Sequence, residues 1–246
     1  EWASPGYYGV DLLDYGVKAE MTSGIRSGIL QFTYPESDSS FILLDMNHTL
    51  WQSCPWSNLR VENDSTLVGY KLVKGWGPER HVYFTAVFSK PFRDFGIMQD
   101  TIPVKYNTNR FRSSLEAWGK DLRFWMRFPT RQGEMVTMKT AVSAVSSDGA
   151  KLNMQELEGK TFASLKAEGE KLWEGQLSKF KIEATPEQRE TFYTSVYHAF
   201  LHPFIFQDAD GKFRELDKNI GQAEGFTNYT VFSLWDTYRA LHPLFN

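Results

Sequence analysis

Leu122-Arg123-Phe124-Trp125-Met126-Arg127-Phe128 decides the fold of this chain. Large apolar side chains stand at 122, 124, 126 and 128, and arginines at 123 and 127. A period of two is that of a half-buried β-strand, because successive side chains leave a strand on opposite faces. Leu122, Phe124, Met126 and Phe128 are its expected inner face, and Arg123 and Arg127 its outer one.

The same period extends in both directions. Residues 135–145 continue it through Val136, Met138, Thr140, Val142 and Ala144. Residues 81–88 set Val82, Phe84, Ala86 and Phe88 against His81, Tyr83, Thr85 and Val87. Residues 7–13, 17–22, 28–34, 41–46 and 65–74 have strand length and composition, separated by turn residues. No helical period interrupts this run before about residue 150. The order predicts an antiparallel two-sheet β-sandwich.

Near residue 160 the period changes. Phe162, Leu165, Gly169, Leu172, Trp173 and Gln176 fall at helical spacing, which predicts a linker helix over 161–180, weakened by Gly169. Thr185-Pro186-Glu187-Gln188 is a capping box with proline at the first helical position, a start signal for a second helix. That helix carries Phe192, Val196, Ala199, Phe200 and Pro203 on one stripe and is expected to end near Pro203. The chain is therefore read as α+β and multidomain: a β-sandwich domain over 1–155, a helical linker over 156–184, and the beginning of a helical domain over 185–246.

The composition is that of an ordinary globular protein: 246 residues, 41% hydrophobic and 23% charged. Twenty-seven Lys and Arg against 30 Asp and Glu leave a net charge of −3. With no basic run or stripe, nothing points to nucleic acid. No apolar stretch has the length of a membrane span. The single cysteine, Cys54, excludes an internal disulfide and is read as a buried, inert thiol between Trp51 and Trp56. Eight Trp, 11 Tyr and 19 Phe suit an enzyme that stacks aromatic faces on sugar rings, although large cores use aromatics too.

Several motifs carry less than they suggest. Asp208-Ala209-Asp210-Gly211 lacks the later oxygens and the Glu of a calcium loop, so it is read as a turn between extended segments. His198 and His202 have zinc-ligand spacing, but no third ligand is evident and they are read as structural. Asn47, Asn63 and Asn228 begin Asn-x-Ser/Thr triplets, to which no weight is given. The turn Gly75-Trp76-Gly77 and residues 51–56 are candidate loops at the rim of a pocket, unless their aromatics are buried.

The carboxy-terminal run Ser233-Leu234-Trp235-Asp236-Thr237-Tyr238-Arg239 reads as the opening of another helix. Ser233 and Asp236 alone would make a capping box. Arg239, three residues from Asp236, has the spacing to pair with it.

Four phrases, taken together, resemble glycoside hydrolase family 92, the calcium-dependent exo-acting α-mannosidases. They are Ala3-Ser4-Pro5-Gly6-Tyr7-Tyr8-Gly9-Val10 followed by residues 17–22; Gly75-Trp76 followed by Val82-Tyr83-Phe84 and Phe88-Ser89-Lys90-Pro91-Phe92; residues 139–146; and Phe192-Tyr193-Thr194 with Tyr197-His198, joined later by residues 233–239. The resemblance implies that the helical domain is the start of an (α/α)6 barrel, truncated here, and that segments before Pro5 and after Asn246 are missing. It implies inverting hydrolysis of a terminal α-linked mannose, α-1,2-linked above all, from glycans, helped by Ca2+ with ligands outside this segment. The general acid and base are expected in the missing barrel as well, so no catalytic residue and no metal ligand is assigned here. Trp235 and Asp236 are the residues it assigns to the terminal sugar, with Arg239 behind them. It also implies export to the periplasm or the cell exterior of a bacterium.

Two other readings compete with this one. A non-catalytic carbohydrate-binding module would use the aromatic sandwich, but has no use for the two helical starts near the carboxy end. A phosphorylase, or another hydrolase of similar layout, would show a need for phosphate or indifference to calcium. Architecture alone does not separate them.

Overall fold

The alternation around Phe124 folds as its period requires. In a computed structural model describing residues 1–92, 94–100, 102–103 and 115–246, Leu122, Phe124 and Met126 are fully buried while Arg127 is exposed. The strands of the first part are β1 (Trp2–Ser4), β2 (Tyr7–Leu12), β3 (Val17–Ser23), β4 (Ser27–Tyr34), β5 (Ser37–Asp45), β6 (Ser53–Val61), β7 (Thr66–Lys74), β8 (Arg80–Phe88), β9 (Asp94–Gln99), β10 (Ile102–Pro103), β11 (Leu115–Gly119), β12 (Leu122–Thr130) and β13 (Glu134–Ser143). They form a nine-stranded sheet in the order β1-β2-β3-β4-β13-β8-β7-β6-β11 and a four-stranded sheet in the order β10-β9-β12-β5. All pairings are antiparallel. β13 closes the larger sheet by pairing on both sides, Met138 lying opposite Leu30 on β4 and Phe88 on β8.

The two sheets face each other over one core. Leu59, Leu67, Ala86, Phe88 and Val136 come from the larger sheet, and Ile42, Ile97, Leu122, Phe124, Met126 and Phe128 from the smaller. Phe92 joins them edge-on, 5.5 Å from Phe124 and 5.7 Å from Phe88 between ring centres. Tyr34 meets Phe128 edge-on and donates its hydroxyl to the Phe41 carbonyl at 3.0 Å, so its buried polar end is satisfied. On the outer face, Arg123 and Arg127 pair with Asp45 and Asp94.

The larger sheet is covered on its other face too. Helices α1 (Ser147–Met154) and α2 (Phe162–Leu177) lie against it, and Ile29 packs with Leu157 and Leu165 in a second, smaller core. This explains why Thr85, on the polar face of β8, is only 2% exposed. Helix α3 (Pro186–Phe200) starts at the expected capping box: Thr185 Oγ1 accepts the Gln188 N–H, and Gln188 Oε1 accepts that of Thr185 at 3.1 Å. On its apolar stripe Val196 is buried and Phe192, Ala199 and Phe200 partly so. Beyond it lie a hairpin of β14 (Lys212–Arg214) and β15 (Ile220–Gln222) and the short helix α4 (Leu241–Phe245). Gly211, at φ 84°, closes the expected turn between Asp208 and β14.

Some expectations need correction. Residues 53–56 belong to strand β6, so the loop read over 51–56 is confined to its first residues. The period of two did not reveal β6 because its buried positions include Ser57 and Asn58, whose side chains bond Gly119, Glu116 and Ala117 on β11. β1, β9, β10 and β11, and helix α1, were also unanticipated. The helix expected from Leu234 does not form there. Residues 234–240 run through turns, Ala240 is left-handed at φ 62°, and helix begins only at Leu241. Leu234, Trp235 and Tyr238 are 71–86% exposed. Within this segment no packing offsets the costly helical nucleus that a capping signal would have to open.

Candidate functional site

The carboxy-terminal segment is placed by a ladder of hydrogen bonds. Phe206 N–H donates to Asn228 C=O at 2.8 Å and Thr230 N–H to Phe204 C=O at 3.0 Å. Asn228 also bonds through its side chain to the Phe206 carbonyl, and Gln207 Oε1 accepts the Asn228 N–H. The His202 ring lies 2.8 Å from the Val231 carbonyl, which accounts for one of the two histidines. Past the ladder, Phe232 sits between His202, His242 and Phe245, and Phe245 meets Phe200 at the end of α3. Both ends of the loop 233–240 are thus pinned to the same aromatic cluster.

The base of the ladder is tied to the sandwich. The Asp208 carboxylate, 3% exposed, accepts the Ser143 hydroxyl at 2.6 Å and the Asn153 amide at 2.8 Å. Burial pushes its pKa up from the ordinary Asp value, against the opposing pull of Ser143 and Asn153. Beside it Arg26 donates Nε–H to the Gln207 carbonyl at 2.5 Å and pairs with Glu156 at 2.6 Å. Arg214 bonds the carbonyls of Ala144 and Val145, and Lys218 that of Glu79, so the β14–β15 hairpin reaches the turn bearing Trp76. These contacts join residues far apart in the chain, and no local pattern announces them. Asp208 was read only as part of a turn, and the turn is present.

The residues singled out for the sugar lie on the pinned loop. Trp235 is 86% exposed and Asp236 is exposed among the described residues. The contact between Ser233 and Asp236 is a backbone one, Asp236 N–H to Ser233 C=O at 3.2 Å, and the capping box is not made. Arg239 does not pair with Asp236 among the described residues; its Nε–H donates to the Tyr238 hydroxyl at 2.7 Å and its guanidinium lies over that ring. Thr237 alone in this run is buried, with its hydroxyl on the Leu234 carbonyl. The loop therefore offers an unengaged carboxylate next to an unengaged indole, a pair suited to accept sugar hydroxyls and to cover an apolar sugar face.

The rim loops read from sequence also expose their aromatics. Trp51 is 99% and Trp76 is 84% exposed, which excludes turns pinned by a buried indole. The two loops touch: a Cβ on Gly75 would stand 2.5 Å from the Gln52 side chain. Cys54, two residues past Gln52, is buried as expected, with burial raising its thiol pKa. A cleft of about 1000 Å³ opens elsewhere, between the outer face of the larger sheet and α3, lined by Tyr7, Arg26, Val142, Tyr193, Tyr197 and His198 among others. None of Trp235, Asp236 and Arg239 lines it. Among the described residues no three His, Cys, Asp or Glu side chains come together as a metal site.

Comparison with known proteins places these features in a family. Residues 1–143 match the model of the glycosyl hydrolase family 92 N-terminal domain, and residues 149–246 that of the family 92 catalytic domain. No curated protein matches the chain. A solved family GH92 alpha-mannosidase from Bacteroides thetaiotaomicron is 70% identical over 100% of this chain and 33% of its own, with a TM-score of 0.95. The structure of that alpha-mannosidase in complex with mannoimidazole aligns over 100% of this chain and 32% of its own, at 70% identity and a TM-score of 0.94. A family GH92 inverting mannosidase from Bacteroides thetaiotaomicron VPI-5482 shares the fold at 22% identity, over 99% of this chain and 32% of its own, with a TM-score of 0.84. The chain spans about a third of the length of these solved structures.

Proposed function

The chain belongs to glycosyl hydrolase family 92, and from that premise we propose that it is the front part of an exo-acting α-mannosidase that releases terminal α-linked mannose from glycans, α-1,2-linked mannose first. The observation that carries this reading is the 70% identity over the whole chain to a GH92 alpha-mannosidase also solved with mannoimidazole. In this reading the sandwich of 1–155 and the linker of 156–184 support a catalytic (α/α)6 barrel that begins at 185, and the protein works in the periplasm or outside a bacterial cell.

Within the segment, Asp236 accepts hydrogen bonds from hydroxyls of the terminal mannose and Trp235 covers an apolar face of the ring. Charge-assisted bonds from a fixed carboxylate orient a sugar better than neutral ones. Among the described residues of this segment both side chains are exposed, and neither is hydrogen-bonded to another element of it. Arg239, on the same loop, stands behind them. Hydrolysis with inversion needs a carboxylic acid for the leaving oxygen and a carboxylate for water, roughly 6.5–9.5 Å apart. No residue of this segment is assigned either task. A calcium ion would hold sugar hydroxyls among its oxygen ligands. As the family resemblance implies, its ligands are assigned mainly to the rest of the polypeptide.

The test is mannose release from α-1,2-linked mannobiose by the full-length protein, with calcium and then with chelator. Release that stops on chelation and resumes with calcium, giving β-mannose first by NMR, is the expected result. The 246-residue segment alone should release none. If the full-length protein cleaves no α-linked mannobiose, the reading is wrong.

A further inference from the structure

We propose that Asp208 is a positioning residue for the terminal-sugar pocket, tying the loop of Trp235 and Asp236 to the sandwich through Ser143 and Asn153. The proposal rests on the reading of those two residues as sugar contacts. Asp208 lies 27 and 28 positions before them and touches neither, so it acts through the ladder.

The tie is directional at every atom. Ser143 Oγ accepts the N–H groups of Val145 at 2.9 Å and Ser146 at 3.3 Å, which leaves its own proton for Asp208. Asn153 is fully buried and fully used. Its Nδ2 donates to Asp208 and to the Val142 carbonyl at 2.8 Å, and its Oδ1 accepts the Ala209 N–H at 2.8 Å. The start of α1 is bare where the carboxylate enters, since a Cβ on Gly149 would stand 2.2 Å from Asp208 Oδ2. From the opposite side Arg26, oriented by Glu156, holds the adjacent Gln207 carbonyl.

A buried carboxylate is costly, and an apolar residue would have filled the space more cheaply. Apolar contacts, however, tolerate sliding, whereas a satisfied polar network admits one register. That register passes along the Phe206–Asn228 and Phe204–Thr230 rungs to Phe232, where the sugar-binding loop begins. A shift of an ångström in such a loop is enough to misplace a substrate.

The experiment compares the full-length wild type, Asp208→Asn, Asp236→Ala and the double variant. It measures kcat and KM on α-1,2-linked mannobiose and hydrogen exchange at the Phe206 and Thr230 amides. Asparagine keeps one acceptor but turns an NH2 toward the Ser143 hydroxyl, which already accepts two bonds. The expected result is exchange at both amides faster by about tenfold, local opening being the route to exchange. With it comes a loss of about tenfold in kcat/KM that vanishes when Asp236 is already alanine, the mark of two residues acting through one interaction. Unchanged exchange overturns the tie. Faster exchange with a loss that multiplies independently of Asp236→Ala reduces Asp208 to a stability role and overturns the positioning one. If Asp236→Ala itself keeps full activity, the sugar reading fails and the positioning role falls with it, while the exchange rates still judge the tie. Should Asp208→Asn not fold, Ser143→Ala removes one of the two bonds and must give the same pattern at smaller size.

Discussion

Gly6 and Gly169 stand back to back where the linker helix crosses the sandwich. A Cβ on Gly6 would come within 3.5 Å of the Gly169 backbone, while one on Gly169 would meet nothing nearer than 3.9 Å. Gly6 is also left-handed, at φ 79°, and Gly169 lies inside α2. The two glycines thus have different reasons to be there, and the difference is measurable.

Gly169→Ala should stabilise the protein by roughly 0.5–1 kcal/mol, because alanine is the better helix former and its methyl fits. Gly6→Ala should destabilise it by about 1 kcal/mol or more, since alanine is strained at the positive φ of this position. Denaturant melts of the two variants decide the matter. A destabilising Gly169→Ala would mean that strand and helix approach more closely than described, and a neutral Gly6→Ala that residue 6 is not held at positive φ.

Asp236→Ala should leave stability within about 0.5 kcal/mol of wild type, as the residue caps no helix and is exposed. In the full-length protein the same change should cost roughly 1.5–3 kcal/mol of transition-state binding for each bond lost to the sugar. Thermal melts and kcat/KM values separate the two effects. A destabilised variant with full activity would restore the capping reading and remove the sugar one.

Asp208 gives the protein a pH dependence opposite in sign to that of its neighbour Asp210. Burial raises the Asp208 pKa above 3.8, with Asp210 adding to the rise and Arg26 opposing it. A carboxyl raised in the folded state contributes stability below the unfolded pKa, and that contribution is lost as pH rises through the folded value. Lys212 holds Asp210 below its ordinary value, so the stability it contributes is lost as pH falls through that lowered value. In urea melts from pH 3 to 7, wild type should therefore lose ground to Asp208→Asn as pH rises above the ordinary Asp range. A difference that stays flat across the series would show that Asp208 titrates as it does unfolded.

Much of the architecture was legible because it is written in short-range patterns. The period of two around Phe124 and the Thr185–Gln188 box depend on residues a few positions apart, and each took its expected form; the alternation read over 135–145 fails at its end, where Val142 is exposed and Ala141 and Ser143 are buried. Strands β6 and β11 were not legible because side chains such as Asn58 are buried by bonds to the neighbouring strand rather than by apolarity. Gly169 reads as a weakness in a helix and proves to lie against Gly6, beside Trp173 of the same helix. Of the candidate site, Trp235 and Asp236 were found through a family motif. What holds their loop was not, since Asp208 is 65 positions from Ser143 and 55 from Asn153.

The sequence by itself determined the sandwich and the two capped helices, and its family motif singled out the carboxylate and indole proposed to meet a sugar. These follow from side-chain period, from capping chemistry and from a motif, all local along the chain. Only the tertiary structure decided that the Ser233–Asp236 run stays in turns, that Trp51, Trp76 and Trp235 face solvent, and that Asp208 is buried as a tie. Each of these depends on which distant surfaces meet. Within this segment a helix signal without a packing partner does not overcome the cost of nucleation, and a carboxylate is buried only where donors from other elements converge on it.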